Sequence, residues 1–336
     1  MPQGESTTTD AEKPRSAIRD WLSLVRLPNL LTLPGDAALG YLIAERAVDG
    51  RLNILLGFDL AKGRFETMSF LWVAASLLCL YVFGLVDNDL ADAKLDAEER
   101  PERPIPSGAI SRKAAGTAAA ALLTLGLAAA IPTQKPTLHA AILLAVLIFA
   151  YNHHTKHDRL LGPLNMALCR VLSLTLGLLA AGGKDLLRYE PAFLAAAAVW
   201  LLYFMSLTMA ATNENKSGRA EGRHTLLLVP FLWLSIAPFS TGALAVLAKV
   251  GEVPPSIFLG FAASIIFLLI SIRNFFSLNN PDAPPKRKRA AIGEMVRSVI
   301  LLQSAGTAFL GYPYVALALL MLWPLATAIS TRFASS

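Results

Sequence analysis

Apolar residues along this chain gather into long runs separated by short polar loops. Runs can be read near 23–44, 69–89, 112–131, 137–151, 161–181, 191–211, 226–248, 255–278, 293–310 and 313–331. A helix needs roughly 20 residues to cross the hydrocarbon core of a bilayer, and a spanning segment must satisfy its backbone polar groups internally. Several runs are short or carry a polar residue. The pattern therefore predicts an all-α fold, a polytopic transmembrane helical bundle of nine or ten membrane-spanning helices. Residues 21–332 read as a single membrane domain and residues 1–20 as a polar, disordered cytoplasmic tail. Composition agrees: 54% of residues are hydrophobic and 16% charged, whereas a soluble domain carries about a quarter charged residues.

The loops are unequal in charge. With alternate loops assigned to opposite faces, most Lys and Arg residues fall on the side of the N-terminus and of the acidic loop after the second run. Loops rich in Lys and Arg stay cytoplasmic. The expected location is an integral membrane protein, in the inner or plasma membrane if the chain is bacterial, with the polar active loops facing the cytoplasm. The formal charge of +6 is then a topology and headgroup signal, and the basic stretch "PDAPPKRKR" reads as a cytoplasmic anchor. No basic face on a soluble module suggests nucleic acid, and no protein partner is indicated. Cys79 and Cys169 lie in separate apolar runs without close-spaced partners, so neither a disulfide framework nor a thiolate metal site is expected. The first apolar run is long enough to remain as a span, so no cleavable signal is expected.

Candidate chemistry concentrates in residues 88–108, "NDLADAKLDAEERPERPIPSG". On a helix, Asn88, Asp89, Asp92 and Asp96 fall within a stripe roughly 100° wide. Four oxygen donors facing one way at the end of an apolar helix read as a divalent-cation site. Mg2+ is commonly held by one or two carboxylates plus substrate phosphates, so it is the expected ion and a phosphorylated ligand the expected cargo. Arg100 and Arg103 follow as forked donors suited to phosphate oxygens, and Pro101, Pro104 and Pro106 are expected to hold their segment extended. Asp87 points off the stripe and reads as a bystander. Asn29, Asp36, Asn165 and Arg170 are polar residues within apolar runs, expensive in lipid and therefore functional candidates. For Asp36 and Arg170 an internal ion pair is an equal alternative. The loop "YNHHTKHD" offers His153, His154 and His157, but no third protein ligand for zinc is evident.

The run Asn88, Asp89, Asp92, Asp96 followed by "RPERPIPSG" resembles the first aspartate-rich signature of the UbiA superfamily of intramembrane prenyltransferases. The likeness covers nearly the whole chain. "VRLPNLL" (25–31) resembles the start of the family's first helix, and "YNHHTK" with "LGPLNMALCR" resembles its central loop and fifth helix. The opening "LVRLPNLLTLPGDAALGY" is also similar to the EboC-like branch. The resemblance implies nine transmembrane helices, a Mg2+-bound prenyl diphosphate and transfer of the prenyl group to an acceptor, often aromatic. Asn88, Asp89, Asp92 and Asp96 would be metal ligands, with Asp92 and Asp96 central to catalysis. Lys156 would contact phosphate, Tyr151 would lie near the reacting carbon, and Asn29 and Asn165 would line the cavity.

The family's second signature is a paired-aspartate DxxxD motif. Here "ENKSGRAEGRHT" supplies Glu214 and then Gly218 where the second carboxylate is expected. Glu221, Asn213 and Asn215 are alternative oxygen donors, and Lys216, Arg219 and Arg223 are cations able to neutralise diphosphate directly. Two functions follow: a prenyltransferase acting on a prenyl diphosphate and a small-molecule or lipid acceptor, or a non-catalytic membrane protein that binds or carries an isoprenoid or lipid phosphate.

Overall fold

The structure is a computed structural model and describes residues 17–48, 67–181, 190–212, 255–280 and 282–334. No strand occurs among the described residues. The chain runs through α1 (Ala17–Val25), α2 (Leu27–Leu30), α3 (Leu33–Val48), α4 (Thr67–Ala91), α5 (Ala93–Glu99), α6 (Arg112–Ala130) and α7 (Lys135–Ala150). A π turn (Tyr151–Thr155) follows, then α8 (Leu161–Ala180), α9 (Glu190–Thr212) and, in our numbering, α10 (Pro255–Asn279), α11 (Pro285–Phe309) and α12 (Pro313–Ala334). Residues 17–20, read in the sequence as the end of the tail, form the first turn of α1.

Seven described helices are long and apolar enough to cross a membrane: α4, α6, α7 with its π turn, α8, α9, α10 and α12. The nine or ten read from the sequence also counted the run at 226–248, which lies outside the described residues. α11 is long enough, but it opens with Lys286, Arg287, Lys288 and Arg289 and carries Glu294 and Arg297. The apolar run at 23–44 is a broken helix. Arg26 adopts φ 45°, the one positive φ at a non-glycine residue among those described, and Pro28 and Pro34 each remove a backbone donor. At the second break the Thr32 hydroxyl donates to the Asn29 carbonyl at 2.7 Å.

The core is assembled on α3 and α8, whose backbones nearly touch. A Cβ on Gly40 would lie 1.9 Å from the Leu174 carbonyl oxygen, and one on Gly177 would lie 2.1 Å from that of Ala37. Gly177→Ala is therefore expected to destabilise the fold by about 1–3 kcal/mol, as overpacking does; a denaturant titration in detergent micelles checks this. Leu174, Leu178 and Tyr41 are fully buried in this core. Leu125, Phe258, Leu269 and Phe276 are exposed, as side chains facing lipid would be.

The close seam brings Asp36 and Arg170 together, resolving the two alternatives for them in favour of the ion pair. Arg170 Nη2 lies 2.8 Å from Asp36 Oδ2, and Nη1 donates to Thr32 Oγ1 at 3.2 Å. The guanidinium sits over the Phe204 ring, 4.4 Å from its centroid. Asp36 Oδ1 accepts from Trp200 Nε1 at 2.8 Å and from Gln303 Nε2 at 2.6 Å. One buried carboxylate thus ties α3 to α8, α9 and α11, compensating charges that would be prohibitive if left alone in an apolar interior.

Candidate functional site

The acidic stripe lies where α4 passes into α5. The helical hydrogen bonds continue through the bend at Asp92: its N–H reaches the Asn88 carbonyl at 2.9 Å, and the Asp96 N–H reaches the Asp92 carbonyl at 2.8 Å. Asp89 and Asp96 are buried. Each carboxylate of the stripe faces a cation. Lys156 Nζ is ion-paired with Asp92 Oδ1. Arg103 Nη1 sits 2.6 Å from Asp96 Oδ2 and 3.8 Å from Asp89 Oδ1, bridging the two. The Asn88 amide lies 3.5 Å from Asp89 Oδ1.

Arg103 reaches this position because the segment after α5 is folded into turns. The sequence reading of Pro101, Pro104 and Pro106 as an extended strut is corrected here. The Arg103 N–H donates to Arg100 O at 3.1 Å, Ser107 N–H to Arg103 O at 2.9 Å, and Ile110 N–H to Pro104 O at 2.9 Å. Proline's fixed φ suits turns as well as extended chain. Ile105 and Ile110 are buried with Leu24, Phe83 and Val86, so apolar burial favours the compact path. Ser111 then caps α6, accepting from the Ala114 N–H at 3.1 Å. Arg100 forms no ion pair among the described residues, and its carbonyl accepts from the Arg103 N–H.

Arg26 is a site residue that the sequence reading missed. Its guanidinium lies 3.9 Å from Asp89 Oδ1. The signal was the sequence Arg-Leu-Pro, in which a proline closely follows a cation, but the turn it makes depends on the left-handed backbone at Arg26. Asn29 is half-buried in α2, where its carbonyl accepts from the Thr32 hydroxyl. Tyr151 stands half-buried at the start of the π turn. The Asn165 amide donates to Thr155 Oγ1 at 3.1 Å. Glu214, Arg219, Glu221 and Arg223 lie outside the described residues.

Just beyond the π turn, Asp158 caps α8. Its Oδ1 accepts from the N–H groups of Leu160 at 2.8 Å and Leu161 at 2.7 Å, and these bonds hold the carboxyl below its ordinary pKa. A depressed folded-state pKa stabilises the fold above the unfolded value, about 3.9 for Asp, and that contribution is lost as pH falls through the folded value. Asp158→Ala is therefore expected to lower the thermal midpoint at pH 7, with the difference from the parent shrinking below about pH 4.

The donor set has the chemistry of a hard-cation site. Oxygen donors dominate, while the sulfur of Cys169 is turned to Asn165 Oδ1 at 3.6 Å. Among the described residues no three His, Cys, Asp or Glu side chains form a ready-made metal cage. Mg2+ seldom requires one, since it keeps waters and uses substrate phosphates as ligands.

Residues 52–295 match the UbiA prenyltransferase family. The chain belongs to that family. It is 32% identical over 178 residues to the digeranylgeranylglyceryl phosphate synthase of Methanoculleus marisnigri, a stretch covering 53% of this chain and 62% of that protein. It is 33% identical over 159 residues to the protein of the same name from Methanoregula boonei, covering 47% of this chain and 56% of that one. The chain thus spans less than two thirds of these relatives' length. Among solved structures, a UbiA homolog from Archaeoglobus fulgidus bound to GPP and Mg2+ superposes with a TM-score of 0.56 at 15% identity, covering 89% of this chain and 99% of that one. A solved digeranylgeranylglyceryl phosphate synthase structure gives 0.56 at 20% identity, with the same coverage of both chains. These two superpositions establish a shared UbiA fold.

Proposed function

We propose that this chain is an integral membrane prenyltransferase that moves a prenyl group from a Mg2+-associated prenyl diphosphate to an acceptor. The observation that carries the reading is the interleaving of Asp89, Asp92 and Asp96 with Arg26, Arg103 and Lys156. Carboxylates alone would suit a cation and cations alone an anion; the alternation suits a metal–diphosphate pair. Asn88, Asp89, Asp92 and Asp96 are the residues that would hold Mg2+. When bound, the ion supplies Lewis-acid neutralisation of the leaving group.

The chain's own residues do the rest. Lys156 and Arg103 present donors to the diphosphate oxygens, and Arg26 adds positive charge beside Asp89, so the developing negative charge meets fixed partners. The C–O bond to the prenyl carbon breaks with its electron pair leaving on diphosphate. The ring face of Tyr151 or Tyr81 stabilises the allylic cation. The acceptor then bonds to the prenyl carbon and releases a proton. The apolar helices receive the hydrocarbon tail, and the diphosphate sits at the mouth formed by the polar loops, on the cytoplasmic side by their charge. The name of the Methanoculleus and Methanoregula relatives supports a lipid-like acceptor, and an aromatic acceptor is the family-level alternative.

A second reading rests on one observation: Gly218 stands where the second signature would carry a carboxylate. It makes the protein a carrier or binder of an isoprenoid or lipid phosphate. Purified protein supplied with Mg2+ and labelled farnesyl or geranylgeranyl diphosphate separates the two. Acceptor-dependent pyrophosphate release is expected; saturable binding without release across aromatic and glycerol-phosphate acceptors would establish the carrier.

A further inference from the structure

Asp87, read in the sequence as a bystander, is turned away from the stripe toward the end of α7. α7 does not simply stop there but winds through a π turn, closed by the Lys156 N–H on the Tyr151 carbonyl at 3.0 Å. Such a turn inserts one residue into the helical repeat, is intrinsically uncommon and needs surrounding support. The extra residue rotates all that follows by about 100° relative to an uninterrupted α-helix. Lys156 meets Asp92 in this rotated register.

The support comes from two sides. On the α4 side, both oxygens of buried Asp87 are used: Oδ2 accepts from Asn152 Nδ2 at 2.7 Å, and Oδ1 lies 3.1 Å from His153 Nε2. Asn152 Nδ2 also donates to the Gly84 carbonyl at 3.0 Å. His153 is backed by Phe149, ring centroids 4.2 Å apart. On the α8 side, Asn165 holds Thr155, and Gly162 packs so closely that a Cβ would lie 2.9 Å from the Thr155 carbonyl oxygen. The stripe and Asp87 thus project from different sides of one helix end. One side faces the candidate ligand, and the other fixes the element that delivers Lys156.

We infer that Asp87 is a positioning residue, which acts through Asn152 and His153 to hold the π turn in the register that sets Lys156 against Asp92. The inference rests on the proposed role of Lys156 as a diphosphate contact. A solvated charge at a helix end would need neither partner, and a purely structural charge would have no particular coupling to Lys156.

The test is a double-mutant cycle between Asp87→Leu and Lys156→Ala, reading Mg2+-dependent binding of labelled geranylgeranyl diphosphate. Hydrogen exchange across 151–157 is followed in parallel. Each single variant is expected to weaken binding about 10-fold or more, and the double variant to be no weaker than Lys156→Ala alone, because contacting residues acting through one element are non-additive. Exchange at 151–157 should rise in Asp87→Leu and stay near the parent rate in Lys156→Ala. Asp87→Asn, which keeps one acceptor oxygen, should lie between parent and Asp87→Leu in both readouts, and it carries the test if Asp87→Leu does not fold. Multiplicative losses in the cycle, or unchanged exchange at 151–157, would overturn the positioning role. Absence of binding in the parent protein, with faster exchange in the Asp87 variants, would instead remove the diphosphate reading and leave the structural assignment of Asp87 standing.

Discussion

Asp92→Ala is expected to lower prenyl transfer by about 100-fold or more while the protein still inserts and folds. Asp92 is the stripe carboxylate at the bend between α4 and α5, paired with Lys156, so its removal affects both halves of the arrangement. An oxygen donor is lost from the cation site, and Lys156 is left without its counter-charge. Losing one preorganised electrostatic contact to a leaving group typically reduces turnover about 10²- to 10³-fold. Asp92→Asn separates the two effects, since it retains an oxygen donor but removes the charge. Turnover of Asp92→Ala equal to the parent, at saturating Mg2+ and prenyl diphosphate, would rule out the proposed site.

The second large effect concerns the interior. Arg170→Met leaves Asp36 buried beside Trp200 and Gln303 without its cation. Removing one member of a buried ion pair typically destabilises by about 3–5 kcal/mol, whereas replacing both by apolar residues is often close to neutral. The single variant should therefore unfold at markedly lower denaturant in detergent, and the pair Asp36→Leu with Arg170→Met should recover much of the loss. If the double variant is as unstable as the single, the contacts to Trp200, Gln303, Thr32 and Phe204 outweigh the pairing of the two charges. The hydrogen bond to Thr32 and the contact with Phe204 make that outcome measurable.

The acidic stripe was legible because helical periodicity translates directly into a face, and the break at Asp92 preserves the hydrogen-bond pattern that defines it. Arg103 was legible as a partner by chemistry but not by path: the turns that deliver it depend on burying Ile105 and Ile110, a tertiary effect. Arg26 escaped because its direction is set by a left-handed backbone that few non-glycine residues adopt. Asp87 was misjudged for a related reason. Periodicity showed that it leaves the ligand-facing side, but not that a π turn of another helix lies opposite. Asn165 was correctly singled out as costly in lipid, yet its partner is Thr155, ten residues earlier in sequence and visible only once α8 is packed under the turn.

The ion pair between Asp36 and Arg170 also bears on how the protein is made. Its two members are far apart in the chain, one on α3 and the other on α8, and a ribosome releases the first long before the second. Until Arg170 arrives, α3 carries an unmatched carboxylate that the bilayer disfavours, so this early helix is among the last to settle. The nascent chain must therefore keep α3 sheltered, at the insertion machinery or in the interfacial layer, until α8 is threaded. In chains truncated before Arg170 a cysteine placed in α3 should stay open to a water-soluble maleimide, whereas in chains extending past α8 it should be protected.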